Sequence, residues 1–263
     1  MRRLIILSLT LIASLATSQA VQLGGQAAVT FGVAVDGTLP VAAAEAVLTL
    51  SGEVGSGFFP DASYSATILA GYDAATGDST LELDEARVTA YLGDFELTAG
   101  KLRRAWGSTD GVNPVDLLNP RDMRFPPEAY KVAVPMLHGS YYADDVNIEL
   151  ALLPMFVPSS LPGPAWRQAF SPDLPQGVTV VGVLPAEERR PAAELNNVQF
   201  GVRASMQLSR FDVSATYFRG FRSEPTINAR LEPGAAPGQV LLQPVLSYDR
   251  VNVLGLDFSG VVG

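Results

Sequence analysis

The fold class predicted by the sequence is all-β: an antiparallel, up-and-down transmembrane β-barrel of about ten strands. Three observations predict it. The chain is 48% hydrophobic and only 17% charged, yet after residue 20 it contains no long apolar run. Apolar and polar residues alternate with period two through nearly every segment. Short turns on one side of the strands are balanced by long, proline-bearing connections on the other. A bilayer leaves a chain two ways to satisfy its backbone polar groups, helices or a closed barrel. An apolar chain without a spanning helix takes the second.

The first twenty residues stand apart. Arg2 and Arg3 precede an apolar run from Leu4 to Leu15, and Ser18-Gln19-Ala20 supplies the small residues of a cleavage site. Residues 1–20 are expected to be a cleaved signal peptide, since the apolar run is too short for an anchor. Residues 21–263 are then the barrel domain.

Strands are expected at 26–36, 45–54, 62–73, 80–92, 95–104, 136–143, 146–153, 195–208, 211–220 and 245–260. In the first, Val29, Phe31, Val33 and Val35 alternate with Thr30, Gly32 and Ala34. In the third, Tyr64, Ala66, Ile68, Ala70 and Tyr72 share one face. In the eighth, Val198 through Leu208 alternates with Gln199, Gly201, Arg203, Ser205 and Gln207. Each strand therefore has an apolar and a polar face. A soluble β-sandwich alternates in the same way. The membrane barrel is favoured by strands of about ten residues where soluble ones average five or six. It is also favoured by Tyr64 and Tyr72, which lie roughly 26 Å apart on one face, near the spacing of two aromatic girdles.

The turns follow the same logic. Asp36-Gly37, Ala74 to Ser79, Gly93-Asp94, Asp144-Asp145 and Ser209-Arg210 are compact. Residues 105–135, 154–194 and 221–244 are long and rich in proline. The long connections follow the fifth, seventh and ninth strands, and the short Gly93-Asp94 and Asp144-Asp145 turns follow the fourth and sixth. A meander requires that split, with the long loops facing outward. The exception is Asp36 to Ala44 after the first strand, which is of middling length and fits the outward side.

Composition excludes several functions. The formal charge is −9 with a pI near 4.6, so a nucleic-acid partner is not expected. There is no cysteine and a single histidine, and the acidic residues lack calcium-loop spacing, so no metal site or cofactor is predicted. Gly24-Gly25 and the Gly55 to Gly57 stretch sit beside strands and read as turns or bulges rather than phosphate-binding loops.

Two stretches carry a resemblance. Gly100 to Asp110 contains Trp106-Gly107 followed by Asp110, a W-G-x-x-D pattern, and Asp116 to Asp122 reads D-x-x-N-P-x-D. Together with the proline-tryptophan segment Leu161 to Trp166, and with Ala193 to Pro225 and Tyr248 to Gly263, they resemble a family of bacterial outer-membrane β-barrels without an assigned function. The resemblance covers most of residues 80–263. It implies a porin-like barrel in the outer membrane of a diderm bacterium. That family extends well beyond the point where this chain stops, and its barrels end on an aromatic residue. The resemblance therefore implies that C-terminal strands are missing and that an open edge remains.

The first candidate site is the connection after the fifth strand. Arg103, Arg104, Trp106, Asp110, Asp116, Asn119, Arg121, Asp122 and Arg124 would narrow a pore if this loop folds into the lumen. The alternative is a structural loop, with Asn113-Pro114 and Asn119-Pro120 as turn initiators and Arg121 and Asp122 paired locally. The second group comprises Glu53, Glu85, Arg87, Glu96, Asn147, Glu149, Gln199, Arg203 and Asp212, placed on the lumen face because a basic side chain in lipid costs about 2–4 kcal/mol near the midplane. The third is His138 with Ser140, two apart on one strand, with Asn147 across a tight turn, a constellation that resembles outer-membrane phospholipases. Three functions follow: a passive channel for small polar solutes, a structural or adhesive barrel without an open pore, and a lipid hydrolase. The non-enzymatic channel is the leading expectation, with membrane lipid and small solutes as partners. The sequence assigns neither the solute nor the oligomeric state.

Overall fold

The computed structural model describes residues 21–33, 40–54, 61–73, 77–107, 113–123, 130–161 and 179–260. The expected signal peptide, Asp36-Gly37, Gly55 to Gly57, Asp110, Arg124, the Pro162 to Trp166 segment and the final three residues lie outside them.

The elements in chain order are β1 (Gln22–Val33), β2 (Pro40–Val54), β3 (Ala62–Asp73), β4 (Asp78–Leu92), β5 (Phe95–Leu102), β6 (Arg121–Asp122), β7 (Tyr130–Lys131), β8 (Val134–Ala143), β9 (Val146–Leu153), β10 (Thr179–Val183), β11 (Glu187–Arg189), β12 (Gln199–Leu208), β13 (Phe211–Phe221), β14 (Thr226–Pro233), β15 (Gln239–Ser247) and β16 (Arg250–Gly260). Ten of them form one sheet in the order β1-β2-β3-β4-β5-β8-β9-β12-β13-β16. The pairs β1·β2, β2·β3, β3·β4, β4·β5, β9·β12, β12·β13 and β13·β16 are all antiparallel. The protein is thus all-β and built as an up-and-down meander, and β1 and β16 are the two ends of the strand order. The chain divides into two compact units, one holding β1 to β5 with Leu137–Tyr141 of β8, the other holding the rest.

In the first unit the register sorts side chains by polarity. Ser51, Ser65 and Arg87 are aligned across three strands, as are Thr49, Thr67 and Glu85, and Ser63, Thr89 and Thr98. These make the polar face. Leu48, Ile68 and Leu83 align on the other face, as do Tyr64 and Val88. Leu81, Val88 and Phe95 are 65%, 54% and 55% exposed. Burying such a side chain is worth about 1.5–3 kcal/mol, so a face made of them calls for an apolar medium. Tyr64, Phe95 and Tyr141 sit on this face near the short-turn end, the Phe95 and Tyr141 rings stacked with centroids 4.5 Å apart.

One bulge makes the sorting possible. Leu81, Leu83, Glu85 and Arg87 have the same parity, and unbroken alternation would put all four on one side. The register shifts between Thr67 and Ile68, leaving Asp84 as the extra residue of β4. The leucines then fall on the apolar face and the two charges on the polar one.

The second unit repeats the pattern. Glu149, Arg203 and Thr216 align on the polar face, as do Asn147, Ser205, Ser214 and Asp257. Ile148, Leu150, Val202, Met206, Leu254, Leu256 and Phe258 occupy the other, where the last three are 77–81% exposed. The turns at Gly93, Asp144 and Ser209 each open with a residue at positive φ, which lets the two-residue connection follow the strand twist.

Three expectations need correction. The segment 245–260 is not one strand: it divides into the end of β15 and β16 around Tyr248-Asp249. The break is fixed by hydrogen bonds from Arg222 N–H to the Asp249 carbonyl and from Thr226 Oγ1 to Asp249 Oδ2. Residues 195–197 form a 3-10 turn, and the eighth main strand starts at Gln199. The long connections are not structureless either. β6 and β7 pair within the first, while β10, β11, β14 and β15 from the other two make a separate four-stranded sheet. Of their prolines, Pro233 ends β14 and Pro244 lies inside β15, where it lacks a donor.

Candidate functional site

The connection between β5 and β8 folds onto the polar face of the second unit. Its anchor is Trp106, 1% exposed. A Cβ placed on Gly201 of β12 would lie 2.6 Å from the Trp106 ring, and one on Gly255 of β16 would lie 2.2 Å from Val115 Cγ1. The two glycines are therefore seats that a side chain would fill. Leu118, Ala151, Leu153 and Phe218 are buried in the same region, so this unit keeps apolar core under the loop, on the face otherwise given to polar groups.

Below the loop lies a connected set of charges. Trp106 Nε1–H donates to Glu149 Oε2 at 3.0 Å. Arg203 Nη1 reaches Glu149 Oε1 at 3.4 Å, and its Nε and Nη2 each donate to Ser214 Oγ at 3.2 Å. Arg203 Nη2 lies 3.8 Å from Asp257 Oδ1, and Ser214 Oγ donates to Asp257 Oδ2 at 2.5 Å. One guanidinium is thus shared between two carboxylates. Toward the short-turn end the polar face opens into a cavity of about 450 Å³ lined by Asp144, Asp145, Asp212 and Asp257 against Arg203, with Asn147, Gln207 and Ser259 among the neutral groups.

The motif residues hold the loop together. Asp116, with its side chain 5% exposed, accepts the Trp106 backbone N–H at 3.3 Å and pairs with Lys131 at 2.5 Å and Arg121 at 3.6 Å. The buried Asn119 accepts from Arg104 N–H at 2.7 Å and donates to the Val132 carbonyl at 2.9 Å. Asn113 Nδ2 donates to the Trp106 carbonyl at 2.8 Å, and Arg103 Nε to the Lys131 carbonyl at 2.6 Å. Arg121 and Asp122 form β6, tied through Arg121 N–H to Ser159 Oγ. Arg121 pairs with Asp116, a partner five residues away.

Glu149, Arg203 and Asp212 lie on the polar face of the second unit, and Glu85, Arg87 and Glu96 on that of the first. Arg87 Nε donates to Ser65 Oγ, and Thr98 Oγ1 to Glu96 Oε1. His138 and Ser140 share the buried side of β8, 1% and 5% exposed. Sequence reasoning missed Lys131, Ser214, Asp257, Gly201 and Gly255. The glycines carried a signal, because a lone glycine inside a strand marks a close approach. Asp257 carried one too, as the polar partner of Leu256 and Phe258. Among the described residues no group of side chains is arranged to hold a metal ion.

No protein-family model matches the chain, and no curated protein matches it. Among solved structures it is similar to mutant forms of the porin of Rhodopseudomonas blastica. One is 12% identical with a TM-score of 0.37, over 76% of this chain and 63% of that porin chain. A second is 12% identical with a TM-score of 0.36 over the same shares. A third is 11% identical with a TM-score of 0.37, over 92% of this chain and 85% of the other. The chain thus spans 63% of the length of the first of these porins. Likeness at this level assigns no residue a role.

Proposed function

We propose that the protein is a passive, porin-like channel of the bacterial outer membrane rather than an enzyme. The observation that carries the reading is the two-faced sheet: large apolar side chains stand exposed on one face while the other is polar and mixed in charge. The apolar face meets lipid, and small polar solutes diffuse along the polar face. The connection carrying Trp106, Asp116 and Asn119 narrows the path, and Glu149, Arg203 and Asp257 line it. Four aspartates face one already paired arginine in the cavity, so cations are favoured over anions. The N-terminal segment directs export, and the long connections face outward.

A second reading, a barrel without an open pore, is favoured by one observation: the Trp106, Val115 and Leu118 seat covers part of the polar face with buried apolar side chains. The hydrolase reading draws no such support, since His138 at 1% exposure offers a lipid no approach.

Planar-bilayer recording of the full-length refolded chain separates these readings. The channel predicts steady ohmic steps with a reversal potential displaced toward the cation. Silence from a preparation that circular dichroism shows to be folded would exclude an open pore.

A further inference from the structure

The four-stranded sheet built from the long connections has a polar face of its own. β11 and β15 run parallel with Glu187 beside Val245 and Arg189 beside Ser247. β14 adds Thr226 beside Ser247, Asn228 beside Val245 and Arg230 beside Gln243. Strand alternation puts all of these on one side. Arg230 reaches across β15 above the buried Val245, and its Nη1 meets Glu187 Oε2 at 3.1 Å. Arg189 Nε meets the other oxygen, Glu187 Oε1, at 2.7 Å. Two guanidinium groups from strands on opposite sides of β15 thus converge on one carboxylate. Beside them is a cavity of about 300 Å³ lined by Arg189, Asn228, Ala229, Arg230, Val245 and Ser247.

We propose that this pocket binds an oxyanion, a phosphate or carboxylate group of a lipid headgroup or a soluble molecule, and that Glu187 is its built-in competitor. The geometry of the occupied pair supports this. A single carboxylate bridges both arginines, so their spacing suits one oxyanion, and each fork retains donors that Glu187 does not use. Asn228 and Ser247 add neutral hydrogen-bonding groups at the rim. The arginine side chains are 54% and 44% exposed, and surface ion pairs of this kind contribute little, so Glu187 is displaced at small cost. Glu187 is held ionised below the ordinary carboxylate range by its hydrogen bond from Arg189 and by the charges of both arginines, which reports the positive potential of the pocket. Two positive charges face one acid there, in a chain whose net charge is −9. The site lies on the long-loop side and does not rest on the channel reading.

The test uses the full-length chain folded in neutral-detergent micelles and titrated calorimetrically. The two probes are inorganic phosphate and micelles carrying phosphatidic acid, with phosphatidylcholine micelles as the blank. Saturable binding of at least one phosphate probe is expected, weakened at least tenfold in Arg189→Gln/Arg230→Gln and tightened several-fold in Glu187→Gln. Preference for phosphatidic acid assigns a lipid headgroup, and preference for inorganic phosphate a soluble oxyanion. Binding of neither probe, equal binding by the double arginine variant, or no tightening in Glu187→Gln overturns the proposal. Glu187 is half-buried, Arg189 and Arg230 are exposed, and all three lie outside the main sheet, so circular dichroism checks that the variants fold.

Discussion

Gly201 leaves no room for a methyl group beneath Trp106, with a Cβ 2.6 Å from the ring. The indole is buried and hydrogen-bonded to Glu149, so it cannot step aside without losing both packing and a partner. Gly201→Ala is expected to lift the loop from the sheet at a cost of about 1–3 kcal/mol. Limited proteolysis checks it, with faster cleavage inside residues 103–133 and strands left intact. Asp116 is the second test at this scale. Asp116→Asn keeps the shape and an acceptor for Trp106 N–H but removes the charge that Lys131 and Arg121 share. Both cations are partly exposed, so the loss should be about 1–3 kcal/mol rather than that of a fully buried pair. Lys131→Met alone should cost a similar amount, and the double variant much less than the sum. Thermal denaturation of the three variants reads the coupling, and additive losses would mean that the pair does not hold the loop.

At the scale of elements, the second sheet carries surface ion pairs sensitive to acid. Glu188 accepts from Arg190 and from the Tyr248 hydroxyl, each contact lowering its pKa, while burial and this carboxylate raise that of Tyr248. A depressed carboxyl contributes stability that is present above its unfolded pKa, about 4.3, and is lost as pH falls through the folded value. Hydrogen exchange in β14 and β15 should therefore accelerate below about pH 4, and Glu188→Gln should flatten that dependence while leaving the main sheet unchanged. This sheet also marks where sequence reading stopped. Alternation tells which face a residue takes but not which strand it pairs with, so residues 245–247 of β15 and all of β16 read as one strand, 245–260, although β15 and β16 join different sheets. β3 and β9 were legible to the residue because turns bracket a clean alternation. In the candidate site, Trp106, Asp116 and Asn119 stood out by motif. Lys131 and Asp257 did not, because their partners are distant in sequence and only the fold joins them.

For the whole molecule, the proposed channel requires a sheet with one face for lipid and one for water. A chain without cysteine is suited to testing this, because single cysteines can be placed one at a time. Conductance addresses solute passage, while labelling addresses the faces directly. Along β4 the bulge at Asp84 separates residues of equal parity, with Leu81 and Leu83 on the apolar face and Glu85 and Arg87 on the polar one. The measurement is the labelling of Leu81→Cys, Leu83→Cys, Glu85→Cys and Arg87→Cys in the full-length chain reconstituted into lipid vesicles. A membrane-impermeant and a lipid-soluble thiol reagent are compared. Positions 85 and 87 are expected to react with the water-borne reagent, and 81 and 83 only with the lipid-soluble one. Equal labelling of all four by the water-borne reagent would contradict the proposed channel.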